Sequence, residues 1–297
     1  MNPWRRKNLH SISLGMLSLT GCTFGSGPNH QGINAPTAAD VRQRLPGNPW
    51  ALVLSSGGPR GFVHVGVIEA LDEIGVRPDI VVGASVGALV ATLYCSGISG
   101  KALREIALSL GPTQMARLSI GTSERFSGAP IATQVNIRVN RRRLQDLRPV
   151  CAVVARKQGT NSIVAFTEGN AGVAVQASTA IEGRFTPVSI HDTWYVDPDQ
   201  VVPMPVREAR RLGAARVISV DASAHETQAP AGAERFRESD QLKRRLTEPD
   251  ARASDLNLHP KFGYWVSLSE EFRIRCIRAG YEQTLQMAGK IRQLANV

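Results

Sequence analysis

The sequence predicts an α/β fold built on buried parallel strands, and two observations predict it. Between residues 51 and 95, a short apolar, partly β-branched run twice leads through a glycine-rich corner into an apolar stretch of helical length. That is the order of strand, turn and helix in a parallel sheet. Farther along, the runs 150–155, 163–166, 193–196 and 216–221 again fall between helical or turn-forming stretches. The chain has 297 residues, 42% of them apolar, which is enough for one large packed domain or two small ones.

Taken in order, the chain opens on a targeting signal. Arg5, Arg6 and Lys7 precede a short apolar run, Ile12 to Thr20, which ends in Leu19-Thr20-Gly21-Cys22. That ending resembles the lipobox of bacterial lipoproteins, so residues 1–21 read as a signal peptide and Cys22 as the lipidated first residue of the mature chain. Two or more acyl chains on Cys22 would give a stable membrane anchor. Thr23, rather than Asp, follows the cysteine, which by resemblance to lipoprotein sorting favours the outer membrane of the bacterial envelope. An ordinary soluble signal peptide with an incidental cysteine is the alternative. No later run reaches about 18 apolar residues, so no internal span is expected. Residues 22–48, rich in Gly, Pro, Asn and Ser, read as a flexible tether. A short helix from Thr37 to Leu45 is expected within it, stopped by Pro46.

The first strand, Ala51 to Leu54, meets the corner Ser56-Gly57-Gly58-Pro59-Arg60-Gly61. Val65, Ile68, Leu71 and Ile74 then recur at helical spacing. The second strand, Asp79 to Val82, meets Gly83-Ala84-Ser85-Val86-Gly87, and Val86 to Cys95 is apolar almost all round. In a G-x-S-x-G corner the flanking glycines permit a sharp strand-to-helix turn that exposes the serine hydroxyl. Such a hydroxyl needs a base and a site for the developing oxyanion. The backbone N–H groups of the first corner can form that site, Pro59 excepted. A nucleotide-phosphate loop fits poorly: the first Gly of G-x-G-x-x-G is missing, and no Gly-Lys-Ser/Thr follows.

Lys101 to Leu110 is expected to be helical and residues 111–132 to form a loop that could cover the site. Arg138, Arg141, Arg142, Arg143 and Arg148 read as a solvated helix face, or alternatively as a holder of anionic head groups. Val150 to Ala155 and Ile163 to Phe166 form a strand pair around Gln158-Gly159-Thr160-Asn161. Gly172 to Ile181 is a small-residue helix. Thr193 to Val196 is a strand delivering Asp197 to its end, where ligands bind in open α/β sheets. A helix from Val206 to Leu212 and a strand from Arg216 to Asp221 follow. Residues 223–262 read as a polar, mobile excursion with one short helix, and 269–294 as a single C-terminal helix. The catalytic domain is thus placed at 49–222, with 223–297 packed on it.

Cys22 apart, three cysteines remain, with Cys95 and Cys151 in apolar core elements. No Cys-x-x-Cys or His-Glu-x-x-His pattern is present, so neither a metal nor a cofactor is expected. His64 and His191 read as structural. Removing the three basic residues of 1–21 lowers the formal charge from +10 to +7. A basic chain gains local concentration near anionic lipid, and the export signal disfavours nucleic acid.

SGGPRGFVHVGVIEAL resembles the glycine-rich oxyanion loop of the patatin-like phospholipase family, and GASVG resembles its nucleophile elbow. VAFTEGNAGVAVQASTAIEGRFTPV and YVDPDQVVPMPV are similar to the family's segments before and around its catalytic aspartate. The resemblance covers roughly residues 48–222. It implies a mostly parallel central sheet with helices on both faces, and a Ser–Asp dyad that hydrolyses phospholipid or other lipid esters. Ser85 would be the nucleophile and Asp197 the base. Gly57, Gly58 and Arg60 would donate backbone N–H groups to the oxyanion, and Gly83 and Gly87 would shape the elbow. Two positions depart from the family pattern. Ser56 replaces the first Gly of the loop, and Pro198-Asp199 replaces Gly-Gly or Gly-Ala after Asp197. Asp199 would raise the pKa of its neighbour or take over its role. Two alternatives stay open: a Ser85–Asp197 triad completed by His225 or His259, and a non-catalytic lipoprotein that binds lipid or a partner.

Overall fold

The computed structural model describes residues 28–111, 117–118 and 124–296. The expected signal peptide and Cys22 lie outside them. In chain order the first elements are β1 (Trp50–Leu54), α1 (Phe62–Glu73), β2 (Ile80–Ala84), α2 (Val86–Cys95) and α3 (Gly100–Ser109). β3 (Arg117–Leu118) pairs antiparallel with β4 (Phe126–Ser127), and α4 (Ala129–Arg138) follows. Next come β5 (Val150–Lys157), β6 (Ile163–Phe166), α5 (Ala171–Ser178), β7 (Val188–Ile190) and β8 (Thr193–Val196). The chain continues with α6 (Val206–Arg211), β9 (Arg216–Val220), α7 (Arg237–Ala253), β10 (Leu256–Leu258), α8 (Glu270–Gln286) and α9 (Ala288–Ala295).

The main sheet runs in the order β10-β9-β1-β2-β5-β8-β7, with β6 also on β5. The five strands from β10 to β5 are mutually parallel. β6, β7 and β8 add an antiparallel wing. Both faces are covered, so the central strands β1 and β2 are apolar along their whole length. Leu52 and Leu54 join the core beneath α1, α2, α5 and α8. Ala51 and Val53 join the opposite core beneath α6, with Val41 and Ala251 of α7. These are the three layers that the resemblance implies. No described helix is long and apolar enough to cross a membrane.

α1 and α8 approach until their backbones touch. A methyl on Gly66 would sit 1.8 Å from the Ile277 carbonyl oxygen, and one on Gly280 would sit 2.1 Å from that of Val63. This crossing ties the C-terminal part of the chain to the helix that follows the glycine loop.

Several elements differ from the sequence reading. The helix α4 begins at Ala129, inside the stretch 111–132 expected to form a loop, because Pro130 occupies the first turn, where its missing N–H costs nothing. The basic cluster lies mostly on the turn after α4, with Asn140 and Arg141 left-handed, and not on a helix face. Arg142 donates to the Ser96 carbonyl and Arg148 to the carbonyls of Gln145 and Leu147. The excursion at 223–262 contains a seventeen-residue helix, α7, and an edge strand, β10. The C-terminal helix breaks at Met287. Only a 3₁₀ turn, Arg42–Arg44, forms where a helix from Thr37 was expected.

Candidate active site

The nucleophile elbow is made by contact between backbones. A side chain on Gly83 would meet the Gly87 carbonyl oxygen at 2.4 Å, and one on Gly87 would meet that of Leu54 at 2.2 Å. Between them Ser85 is held at φ 54° and ψ −123°, a conformation that costs a non-glycine residue about 1–3 kcal/mol. Its N–H donates to Ser178 Oγ at 2.8 Å, and Ser178 in turn donates to the Val154 carbonyl at 2.6 Å. The helix α5 thereby props the turn from behind. Ser178 has no signature in the sequence beyond lying on a small-residue helix.

Ser85 Oγ donates to Asp197 Oδ2 at 2.6 Å. Asp197 follows β8, and its N–H donates to the Ala180 carbonyl at 2.9 Å. Its other oxygen, Oδ1, accepts the backbone N–H of Asp199 at 2.9 Å, so the residue after proline closes an Asx turn. The two departures from the family pattern meet here. Ser56 Oγ donates to Asp199 Oδ1, and Lys243 Nζ of α7 donates to the same oxygen at 2.5 Å. Burial and the neighbouring Asp199 carboxylate push the Asp197 carboxyl up to about 7, against the pull of the Ser85 hydroxyl, the Asp199 N–H and Lys243. That value suits a general base working near neutrality.

The glycine loop is fixed from several sides. Ser56 N–H donates to the Pro203 carbonyl at 2.8 Å, and buried His64 meets the Ser55 carbonyl through Nε2 at 2.8 Å. Among the described residues, the N–H groups of Gly57 and Gly58 have no hydrogen-bond acceptor. The Arg60 N–H closes a 3₁₀ turn onto the Gly57 carbonyl at 3.1 Å, and its guanidinium donates to the Tyr264 carbonyl at 2.6 Å. The donors that the loop leaves free are therefore those of the two glycines.

Ser85 stands where two cavities meet. One, of about 740 Å³, runs between Phe62, Leu89, Leu93, Leu103 and Phe126. The other, of about 420 Å³, is polar and is lined by Arg60, Asp197, Asp199, Asp240 and Lys243. Ser85 thus faces largely apolar walls on one side and charged groups on the other.

His225 and His259 do not complete a triad. Their rings stand 4.7 Å apart, centroid to centroid, around Ser223. His225 Nε2 lies 3.0 Å from Ser223 Oγ and 3.4 Å from Asp221 Oδ2, and His259 Nε2 lies 3.0 Å from the Ser223 carbonyl. Neither hydrogen-bonds to Ser85 or Asp197. Burial would raise the Asp221 carboxyl, but His225, His259 and Ser223 outweigh it and hold it down to about 2. The ligand atoms of Asp221, His225 and His259 lie within 4.8 Å of one another, a grouping that sequence spacing did not reveal. Ser223 already takes up these groups. His191 sits in the β7–β8 turn at φ 47°, with Asp192 at 58°.

A serine on a strand-to-helix elbow, a buried carboxylate against its hydroxyl and a glycine loop with free N–H groups together define a nucleophile site on a three-layer α/β fold. The chain belongs to the patatin-like phospholipase family, whose model matches residues 52–197. Patatin-like phospholipase domain-containing protein 7 of Mus musculus is 28% identical over 189 residues, covering 61% of this chain and 14% of that protein. Lysophospholipase nte1 of Emericella nidulans is 52% identical over 54 residues, 18% of this chain and 4% of that protein. The chain therefore spans a small part of the relatives it matches. The crystal structure of VipD from Legionella pneumophila aligns with a TM-score of 0.48 at 13% identity, covering 90% of this chain and 72% of that one.

Proposed function

We propose that this chain is a serine acyl hydrolase that cleaves lipid esters at a membrane surface through a Ser85–Asp197 dyad. The observation that carries the reading is the 2.6 Å hydrogen bond from Ser85 to Asp197 at the junction of an apolar and a polar cavity. Ser85 Oγ attacks the ester carbonyl as its proton passes to Asp197 Oδ2. The Gly57 and Gly58 N–H groups receive the oxyanion. The intermediate collapses by breaking the bond to the alcohol, which leaves with the proton from Asp197. A water then gives its proton to Asp197 and attacks the acyl-enzyme. The fatty acid departs, and Ser85 recovers its proton. Labelling with a fluorophosphonate probe tests the reading: Ser85 is expected to be modified, and an unlabelled folded protein would overturn it.

We also propose, from the Leu19-Thr20-Gly21-Cys22 ending, that the mature chain is held on the outer membrane of a bacterial envelope through lipidated Cys22. Mass spectrometry of the membrane-extracted protein is expected to find acyl chains on Cys22, and Cys22→Ser is expected to release the chain from membranes.

The base must be ionised to accept the proton. Because Asp197 sits near 7, kcat/KM is expected to fall about tenfold per pH unit on the acid side of neutrality. Lys243→Met removes the cation that balances Asp199. The acid limb of the profile is expected to move up by roughly half a pH unit, the contact being partly screened by solvent. An unmoved limb would show that Lys243 holds α7 in place without influencing the base.

A further inference from the structure

We propose that the exposed apolar rim formed by Phe236, Trp265 and Val266, with Leu268 two residues on, seats the protein on an anionic lipid bilayer. Its use in catalysis rests on the hydrolase reading, while the contact itself does not. These side chains are 36%, 48%, 43% and 59% exposed, unusually high for large apolar residues gathered at one place. Trp265 packs edge-on to Tyr264 at 5.3 Å and to Phe236 at 6.1 Å. Phe236 stands at the start of α7, and the loop that carries Trp265, Val266 and Leu268 is held at its entry. Arg275 donates to the Phe262 carbonyl at 2.9 Å, Arg60 to that of Tyr264, and the Tyr264 hydroxyl bonds Asp240. Rigid presentation of greasy side chains to water is what a docking face requires.

Two observations choose lipid as the occupant. First, Leu268 and Ile181 line the apolar cavity while remaining 59% and 37% exposed. The cavity that holds Ser85 therefore opens to the surface beside apolar side chains, two residues along the chain from Val266, which gives a hydrocarbon chain a short route from a bilayer to the nucleophile. Second, the composition suits an interface. Aromatic rings with a polar edge sit at head-group depth, Arg235 stacks 4.7 Å from the centre of the Phe236 ring, and the chain keeps a formal charge of +7 without residues 1–21. Glu234 and Glu238 flank the same turn, so the attraction to anionic lipid comes from the whole molecule, and the rim supplies insertion.

The test uses the full chain with Ser85→Ala, which leaves vesicles intact, and vesicles of phosphatidylcholine and phosphatidylglycerol with brominated acyl chains. Bromine quenches tryptophans that enter the hydrocarbon, whatever tethers the protein to the vesicle. The Ser85→Ala protein is expected to lose more fluorescence than the same protein with Trp265→Phe, because Trp50 is buried, Trp194 is half-buried on β8, and Trp4 is removed with the expected signal peptide. With Ser85 restored, Trp265→Ser with Val266→Ser is expected to lower hydrolysis of vesicle lipid about tenfold, the loss from removing this much buried apolar surface. Turnover of a soluble short-chain ester should be unchanged, which also shows the variant to be folded. Equal quenching with and without Trp265 would overturn the proposal. So would concentration-dependent self-association abolished by the double substitution, which would assign the rim to a second copy. If the wild-type chain hydrolyses no ester yet shows Trp265-dependent quenching, the docking face stands and the hydrolase reading falls.

Discussion

Ser85→Ala is expected to abolish ester hydrolysis, lowering kcat/KM by about four to six orders of magnitude while the fold is retained. Asp197→Asn is expected to cost nearly as much, since an amide cannot take the proton that Ser85 releases to it across 2.6 Å. The pair separates a dyad from a triad: His225→Ala and His259→Ala should leave the rate nearly unchanged, because both rings are engaged around Ser223. Full activity in Ser85→Ala would refute the nucleophile, and full activity in Asp197→Asn would refute the base.

The second variant carries a further signature in stability. Asp197 has its carboxyl raised from near 4 in an unfolded chain to about 7 in the folded one. The folded state therefore holds that proton more tightly, and the resulting stability is present below about pH 4 and is lost as pH rises through 7. Asp197→Asn removes the cost of burying an ionised carboxylate. Its melting temperature is expected to exceed that of the wild type at pH 8 and to match it more closely at pH 5. A calorimetric scan at the two pH values checks this, and a melting temperature lowered equally at both would place Asp197 outside a buried, poorly solvated site.

Gly66→Ala is expected to destabilise the fold by about 3 kcal/mol or more, toward the upper end for overpacking. The added methyl would lie 1.8 Å from the Ile277 carbonyl, a backbone atom that cannot turn aside. Gly289→Ala is the control. It lies in α9 with open space around it, and the substitution is expected to gain up to about 1 kcal/mol from helix propensity. Urea unfolding of the two variants measures both. A neutral Gly66→Ala would mean that α1 and α8 do not touch through bare backbone.

The parts legible in the sequence were those whose physics is local. Gly83 and Ser85 announce the elbow because the close approach of Gly83 to Gly87 lies within five residues, although Gly87 makes its own against the distant Leu54 carbonyl. Gly57 and Gly58 announce a loop of free N–H groups because their positive φ is a local demand that glycine meets. The alternation of apolar runs located every strand of the parallel core except β10. What stayed hidden depends on contact between distant segments. Ser56 and Asp199 looked like separate departures, and only the folded chain shows one donating to the other. Lys243 lay in a charged stretch with no long apolar run, so nothing marked it as the partner of Asp199. That stretch is helical because a narrow buried edge, including Thr247 and Asp250, suffices to dock it. Pro130 in the first turn of α4 and Pro249 inside α7 are likewise compatible with the helices that hold them.

The matched segment ends at Asp197, but the machinery does not. Lys243 reaches Asp199 from α7, β10 completes the sheet edge, and α8 is locked to α1 where Gly66 meets Ile277. A chimera that transplanted only residues 52–197 into a relative would carry its serine and aspartate without their counter-charge, and would set Gly66 against a foreign helix. The smallest piece that can be exchanged intact extends through α8.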